Sequence, residues 1–309
     1  MLGSEFKIKV DITNPGQFFA CCGLFELAHR LWPGVEGYFD TQAGMFIFPC
    51  KSQENGIELL KKLRECPLEG LSDAEREELK SLETRKQGLK KQKEKLDPQE
   101  EKRRKALGDK ARSGRLTLGE PFSLLLDWWQ TEDETTPKTW AGKQEIHKIA
   151  RAAQEALSDV INDPEGILDR ARVLRRTQEY AKKSDENKTV APFYFDARLS
   201  SINSLDTGFS ADVQEMELMA YPAVELLALI GLQRFRPAAQ GKDFDYWIWT
   251  YPMPAPVAAA IACGAASAEA GIQYRFRFRF RDDQRRYKAF GYATPAKGVA
   301  HEPMVHHSE

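Results

Sequence analysis

Metal-ligand spacings, catalytic signatures and membrane-length apolar runs are all missing from this chain of 309 residues. Its five cysteines (Cys21, Cys22, Cys50, Cys66, Cys263) are odd in number and none forms a CxxC pair. They read as buried reduced thiols, which implies a cytoplasmic protein without a disulfide framework. The longest apolar run, residues 223–232, contains Glu225 and falls short of the roughly 18 residues a membrane span requires. The start shows no basic-then-apolar leader pattern. No GxSxG, HExxH, Walker loop or paired-histidine signature occurs, and His301, His306 and His307 stand in a polar tail. Asp196, Asp206, Asp212 and Asp245 are acids that can in principle gather a metal, but acids in four separate loops are ordinary surface residues unless the fold joins them. The sequence therefore predicts no metal, no cofactor and no active site.

What is present is a core-forming composition, 42% hydrophobic and 29% charged, with a net charge of −1 that conceals an asymmetry. Between positions 80 and 112 there are 13 Lys and Arg against 6 Asp and Glu. A polyanion partner would have to bind such local basic patches, since the chain as a whole is almost neutral.

The stretch from 14 to 32, NPGQFFACCGLFELAHRLW, reads as a helix that is apolar almost all the way round, and hence buried. Asn14 suits the N-cap, Pro15 the first turn, and Gln17 the capping-box position three residues on. Gly23 in mid-helix costs about 1 kcal/mol against Ala, which is tolerable where another backbone approaches closely. An alternating strand over 6–12 precedes this helix and a hairpin over 37–48 follows it. A second apolar helix is predicted over 221–235, opened by Pro222. PGQFFACCGLFEL and PAVELLALIGLQRF share a leading proline and a late Ala-x-x-Gly-Leu, which hints at a duplicated unit.

The predicted fold is thus α+β, with mixed or antiparallel sheet units packed on two buried apolar helices. Four parts are expected: a β-α-β-β start over 1–55, a charged helical insertion over 56–112 with almost no aromatics, the rest of the core over 113–295, and a tail over 296–309. A helix over 138–161 would carry Lys143, His147, Lys148 and Arg151 on its outer side. A second helix after Pro164 would face Arg172, Arg175 and Arg176 outward, and a short strand is expected over 192–198.

The sharpest local signal is YRFRFRFR over 274–281. In a strand, Arg275, Arg277, Arg279 and Arg281 separate from Tyr274, Phe276, Phe278 and Phe280 onto opposite faces. The guanidiniums then stand about 6.6 Å apart, comparable to phosphates along a nucleic-acid strand. A return strand after Asp282-Asp283 would add Arg285, Arg286 and Lys288. Two readings fit: a nucleic-acid contact, or the solvated outer face of an antiparallel sheet with acidic partners across the strand.

Three blocks, DITNPGQFFACCGLFELAHRLW, LGEPFSLLLDWW with PKTWAGKQ after it, and YPAVELLALIGLQRFRP, strongly resemble the CRISPR-associated Csb-three family. The resemblance runs in order from about residue 6 to 295, leaving aside the charged region 56–112 and the tail. Its members belong to subtype I-U (also called I-G) loci and are regarded as a reduced large-subunit component of the Cascade surveillance complex. The resemblance implies a non-catalytic subunit that works with the Cascade backbone protein, the guide-processing protein, guide RNA, target DNA and a helicase-nuclease. Its expected tasks are to help recognise the protospacer-adjacent motif, to stabilise the opened strands and to dock the nuclease. Guided systems leave sequence reading to base pairing and use protein for the flanking motif and backbone. Asn14 and Gln17, beyond capping, are amides of the kind that pair with adenine in the major groove. Two other classes stay open: a guide-RNA-binding or assembly subunit that never touches target duplex, and a metal-dependent nuclease.

Overall fold

The computed structural model describes residues 4–50, 53–130, 136–140, 144–159, 161–175, 188–201, 217–266, 271–281 and 287–296. The chain opens with β1 (Ser4–Lys9), α1 (Pro15–Leu31) and the hairpin of β2 (Glu36–Asp40) and β3 (Met45–Cys50). There follow α2 (Gln53–Glu65), β4 (Leu68–Glu69), α3 (Asp73–Lys91), α4 (Pro98–Ser113), β5 (Leu116–Leu118) and β6 (Leu124–Leu126). Next come α5 (Ile146–Ala156), β7 (Arg172–Val173) and β8 (Met219–Ala220). The last part holds α6 (Pro222–Gly231), β9 (Ala238–Gln240), β10 (Asp243–Ile248), β11 (Met253–Pro254), α7 (Ala255–Ala262), β12 (Ile272–Phe280), β13 (Lys288–Phe290) and β14 (Thr294–Pro295). The fold is α+β, and the described strand pairs are antiparallel.

Two larger sheets flank α1: one in the order β1-β3-β2-β11, the other β13-β12-β10-β9 with β14 also on β12. Consecutive phenylalanines of the helix point to both. Phe18 stacks on Phe39 of the first sheet at 5.3 Å and on Tyr246 of the second at 4.4 Å. Phe19 meets Phe276 and Phe290 edge-on at 6.3 and 6.4 Å. Aromatic pairs at these separations add about 0.5–1.5 kcal/mol each beyond the area they bury.

The third neighbour of α1 is α6, and the two helices cross at glycines. A Cβ on Gly23 would stand 1.9 Å from the Leu227 carbonyl oxygen, and one on Gly231 would stand 2.1 Å from that of Phe19. Only residues without a side chain allow the axes so close. The shared Ala-x-x-Gly-Leu pattern therefore marks one contact seen from both of its sides.

The charged segment divides. α2 belongs to the core, because Leu59, Leu60 and Leu63 are fully buried. The remainder is the hairpin of α3 and α4, zipped by Lys110–Glu75 at 2.7 Å, Arg103–Glu78 at 2.7 Å and Lys86–Glu101 at 2.9 Å. Its base is tied down where the Ala111 carbonyl meets Nδ1 of His147 at 2.9 Å.

Three predicted elements take other forms. The helix expected over 138–161 is only α5 followed by a 3-10 turn (Leu157–Asp159). After Pro164 there is a 3-10 turn (Ile167–Asp169) and then β7, so the outward arginine helix does not form. Of the apolar positions of that helix pattern, Ile167 and Leu174 are buried and Ala171 is half-buried, but through an irregular chain. Residues 192–198 are likewise not a strand: Phe193, Tyr194 and Phe195 are all buried in succession rather than alternately, and Tyr194 has φ 65. A peptide threaded between packed elements on every side shows no period of two.

Candidate nucleic-acid interface

β12 is placed by its partners on either side. Tyr274 and Phe276 are buried, with Phe276 against Phe244 at 5.3 Å and Phe290 at 4.9 Å, while Phe278 and Phe280 nearer the strand end are half-buried. Arg275, Arg277 and Arg279 alternate with them and are exposed. The two faces separate as the alternation requires.

The exposed face is not purely basic. β10 pairs with β12 so that Asp245 lies opposite Arg275 and Asp243 opposite Arg277. Arg275 clasps Asp245 with two bonds, at 2.6 and 2.7 Å, and Gln273 donates to the same carboxylate at 2.8 Å. That carboxylate raises the Arg275 guanidinium further above its usual value. Arg277 makes one bond to Asp243, at 3.1 Å, and its side chain stays 71% exposed. Arg279, opposite Ala289, has no carboxylate partner among the described residues. Exposed pairs of this kind contribute about 0–1 kcal/mol, so an approaching phosphate can compete for Arg277 and Arg279 far more easily than for Arg275.

The remaining basic candidates are scattered. Arg281 turns away to lie over the Tyr194 ring at 3.3 Å, and Lys288 lies 4.8 Å from the centre of the Phe278 ring. Arg285 and Arg286 lie outside the described residues, as does Lys143. On α5, Lys148 pairs with Glu145 at 2.8 Å and Arg151 donates to Gln154 at 2.9 Å. His147, expected on an outer face, is buried under the end of α4, and burial lowers its pKa. Of the second expected basic face, Arg175 pairs with Glu217 at 2.6 Å.

Asn14 and Gln17 are not available to a base edge. Asn14 is fully buried; its oxygen accepts from the amides of Gly16 and Ala197, and its amide donates to Asp196 at 2.9 Å. Gln17 is also buried, and its oxygen accepts from the Asp11 amide at 2.7 Å rather than closing a box on Asn14. Both amides are spent on fixing the entry to α1.

Around Asn14 lies a buried polar network that the sequence reading missed. Asp196 and Glu225 are both fully buried. Arg198 holds Asp196 through Nε at 2.9 Å, reaches Asp169 at 2.7 Å and stacks on Tyr221 at 3.4 Å. Glu225 receives the amides of Phe195 and Asp196 at 3.4 and 3.3 Å. Burial, and then the Asp196 charge, pushes the Glu225 carboxyl up to about 8. The one available signal was an acid inside an otherwise apolar helix, which burial makes costly unless it is bonded or neutral.

The four acids considered for a metal do not gather among the described residues. Asp196 and Asp245 are each held by an arginine, Asp206 and Asp212 lie outside the described residues, and no group of three His, Cys, Asp or Glu suited to a metal occurs among those described. No helix among the described residues is long and apolar enough to cross a membrane. No family model, no curated protein and no solved structure matches the chain.

Proposed function

We propose that the chain is a non-catalytic subunit of a type I CRISPR RNA-guided DNA surveillance complex, acting in protospacer-adjacent-motif and target DNA binding and in recruitment of the helicase-nuclease. The observation that carries this reading is that the three blocks resembling the Csb-three family come together in space. α1 crosses α6 at Gly23 and Gly231, the Trp128 indole donates to the Leu229 carbonyl at 2.9 Å, and Gln233 accepts from the amides of Asp127 and Trp128 at 3.1 Å. Arg30 donates to the Phe122 carbonyl at 3.0 Å, joining the first block to the second. Segments dispersed over more than 200 positions of sequence thus build one packed unit. Nucleic-acid contact is supported by the exposed arginine face of β12, where Arg277 and Arg279 keep most of their donors for an outside acceptor.

The test is the complex assembled from the co-expressed locus proteins and guide, with and without this subunit, binding duplexes whose flanking motif varies. Loss of motif-dependent target binding without the subunit is the expected result. Equal binding and equal motif preference in both preparations would refute the reading. An assembly role without contact to target duplex is favoured by one observation, the neutralisation of Arg275 by buried Asp245. Failure of the complex to assemble without the subunit, with no change in duplex affinity on altering β12, would choose that role.

A further inference from the structure

The hairpin of α3 and α4 is electrically polarised along its length. Its base, residues 73–84 and 106–113, holds 6 acids and 4 bases, whereas residues 85–105 hold 10 bases and 4 acids. The ion pairs across the seam use two arginines and two lysines, Arg85 to Glu100 at 2.5 Å, Arg103 to Glu78 at 2.7 Å, Lys86 to Glu101 at 2.9 Å and Lys110 to Glu75 at 2.7 Å, while Arg104 pairs with Glu101 within α4. Lys90, Lys91, Lys93, Lys95, Lys102 and Lys105 are all exposed, and none has a carboxylate within ion-pairing distance among the described residues. Of the acids near the turn, Asp97 is spent on capping α4, through Gln99 N at 2.8 Å.

The helix dipole accounts for only part of this. It favours cations at the end of α3, where Lys90 and Lys91 lie, but does not account for Lys102 and Lys105, which lie beyond the first turn of α4. Like charges so close also weaken a helix slightly, by a few tenths of a kcal/mol per pair. The tip is itself well built: Lys93 takes φ 59, and the Glu94 amide closes the turn on Leu89 O at 2.9 Å. Lys90, Lys91, Lys93 and Lys95 are therefore held near the far end of the arm, about 28 Å from the base of α3 given the rise of a helix of 19 residues, and Lys102 and Lys105 lie further back along α4.

We propose that this arm binds the sugar-phosphate backbone of double-helical nucleic acid without reading sequence. Lysines act as point charges toward phosphate. No aromatic residue stands between Phe48 and Phe122, so the arm offers no ring on which an unpaired base could stack, and a single strand would gain little there. Two helices side by side are also too broad for a major groove about 12 Å wide, which admits one. The inference rests on the nucleic-acid reading above but concerns a surface separate from β12.

The test uses the full purified chain, a labelled duplex of arbitrary sequence, a single strand of equal length and vesicles containing phosphatidylserine. In the variant K90Q/K91Q/K93Q/K95Q, duplex affinity near 0.1 M salt should fall about tenfold or more and the log-log salt slope should flatten by about 2–4. The melting temperature should not move. R277Q/R279Q runs in parallel to separate the two surfaces. If only that variant weakens duplex binding, the arm proposal is overturned while the nucleic-acid reading stands. If only the lysine variant does, the arm is supported and β12 is not the interface. Tighter binding to the single strand than to duplex, or to vesicles than to either, overturns the proposal.

Discussion

Gly23 and Gly231 touch backbone to backbone, and a methyl group added to either would strike a carbonyl oxygen of the opposite helix, that of Leu227 for Gly23 and that of Phe19 for Gly231. Gly23→Ala should therefore destabilise the protein despite improving helix propensity by about 1 kcal/mol. Forcing the helices apart typically costs about 1–3 kcal/mol or more, and the surrounding aromatic cluster makes yielding difficult. Thermal melts should show a drop of several degrees for Gly23→Ala and a larger one for Gly23→Leu. Gly88→Ala, at an exposed helical site with open space around it, should stabilise slightly and serves as the control.

The contrast between what could and could not be foreseen follows from the range of the forces. The N-cap at Asn14, the buried α1 and the glycine crossing were legible, because capping and apolar period are local and Gly23 had no local reason to be there. The facing of β12 was legible for the same reason. Its partners were not: Asp243 and Asp245 lie more than 27 positions from Arg277 and Arg275, and only the β10–β12 register aligns them. Residues 192–198 failed because burial on all sides erases alternation, and the fate of Arg198 depends on Asp169 and Asp196 together.

Glu225 should make stability fall as pH rises. Its carboxyl ionises near 4.5 as a free group but is pushed up to about 8 by burial, so the folded state holds the proton more tightly than the unfolded one. The stabilisation is complete below about pH 4.5 and is lost progressively as pH climbs through about 8. Glu225→Gln, which mimics the protonated form, should melt at nearly the same temperature at pH 5 and higher than wild type at pH 8.5. Parallel pH profiles for the two proteins would show that Glu225 is not the group responsible.

Phenylalanine and arginine on β12 should fail in different ways. Phe276→Ala removes a buried ring packed on Phe244 and Phe290 and should cost about 3–5 kcal/mol, visible in denaturant midpoints. Arg277→Gln breaks one exposed ion pair and should change stability by less than about 1 kcal/mol. Equal loss from both variants would mean that the exposed face is a structural part of the sheet.

The acids of β10 offer the most discriminating probe of the candidate interface. If Arg275 and Arg277 serve a phosphate backbone, then Asp243 and Asp245 compete with that backbone for the same donors. Asp243→Asn removes a competing charge from a partly exposed position, and Arg277, already largely exposed, is free to turn outward. Duplex affinity should rise, and the salt slope should steepen by up to about one unit as one more phosphate is neutralised. Asp245→Asn should act in the same direction, but at some loss of stability, because its buried carboxylate orders Arg275 and Gln273 together. A merely solvated sheet face would respond otherwise: removing the acids would change folding stability alone and leave both affinity and salt slope where they were.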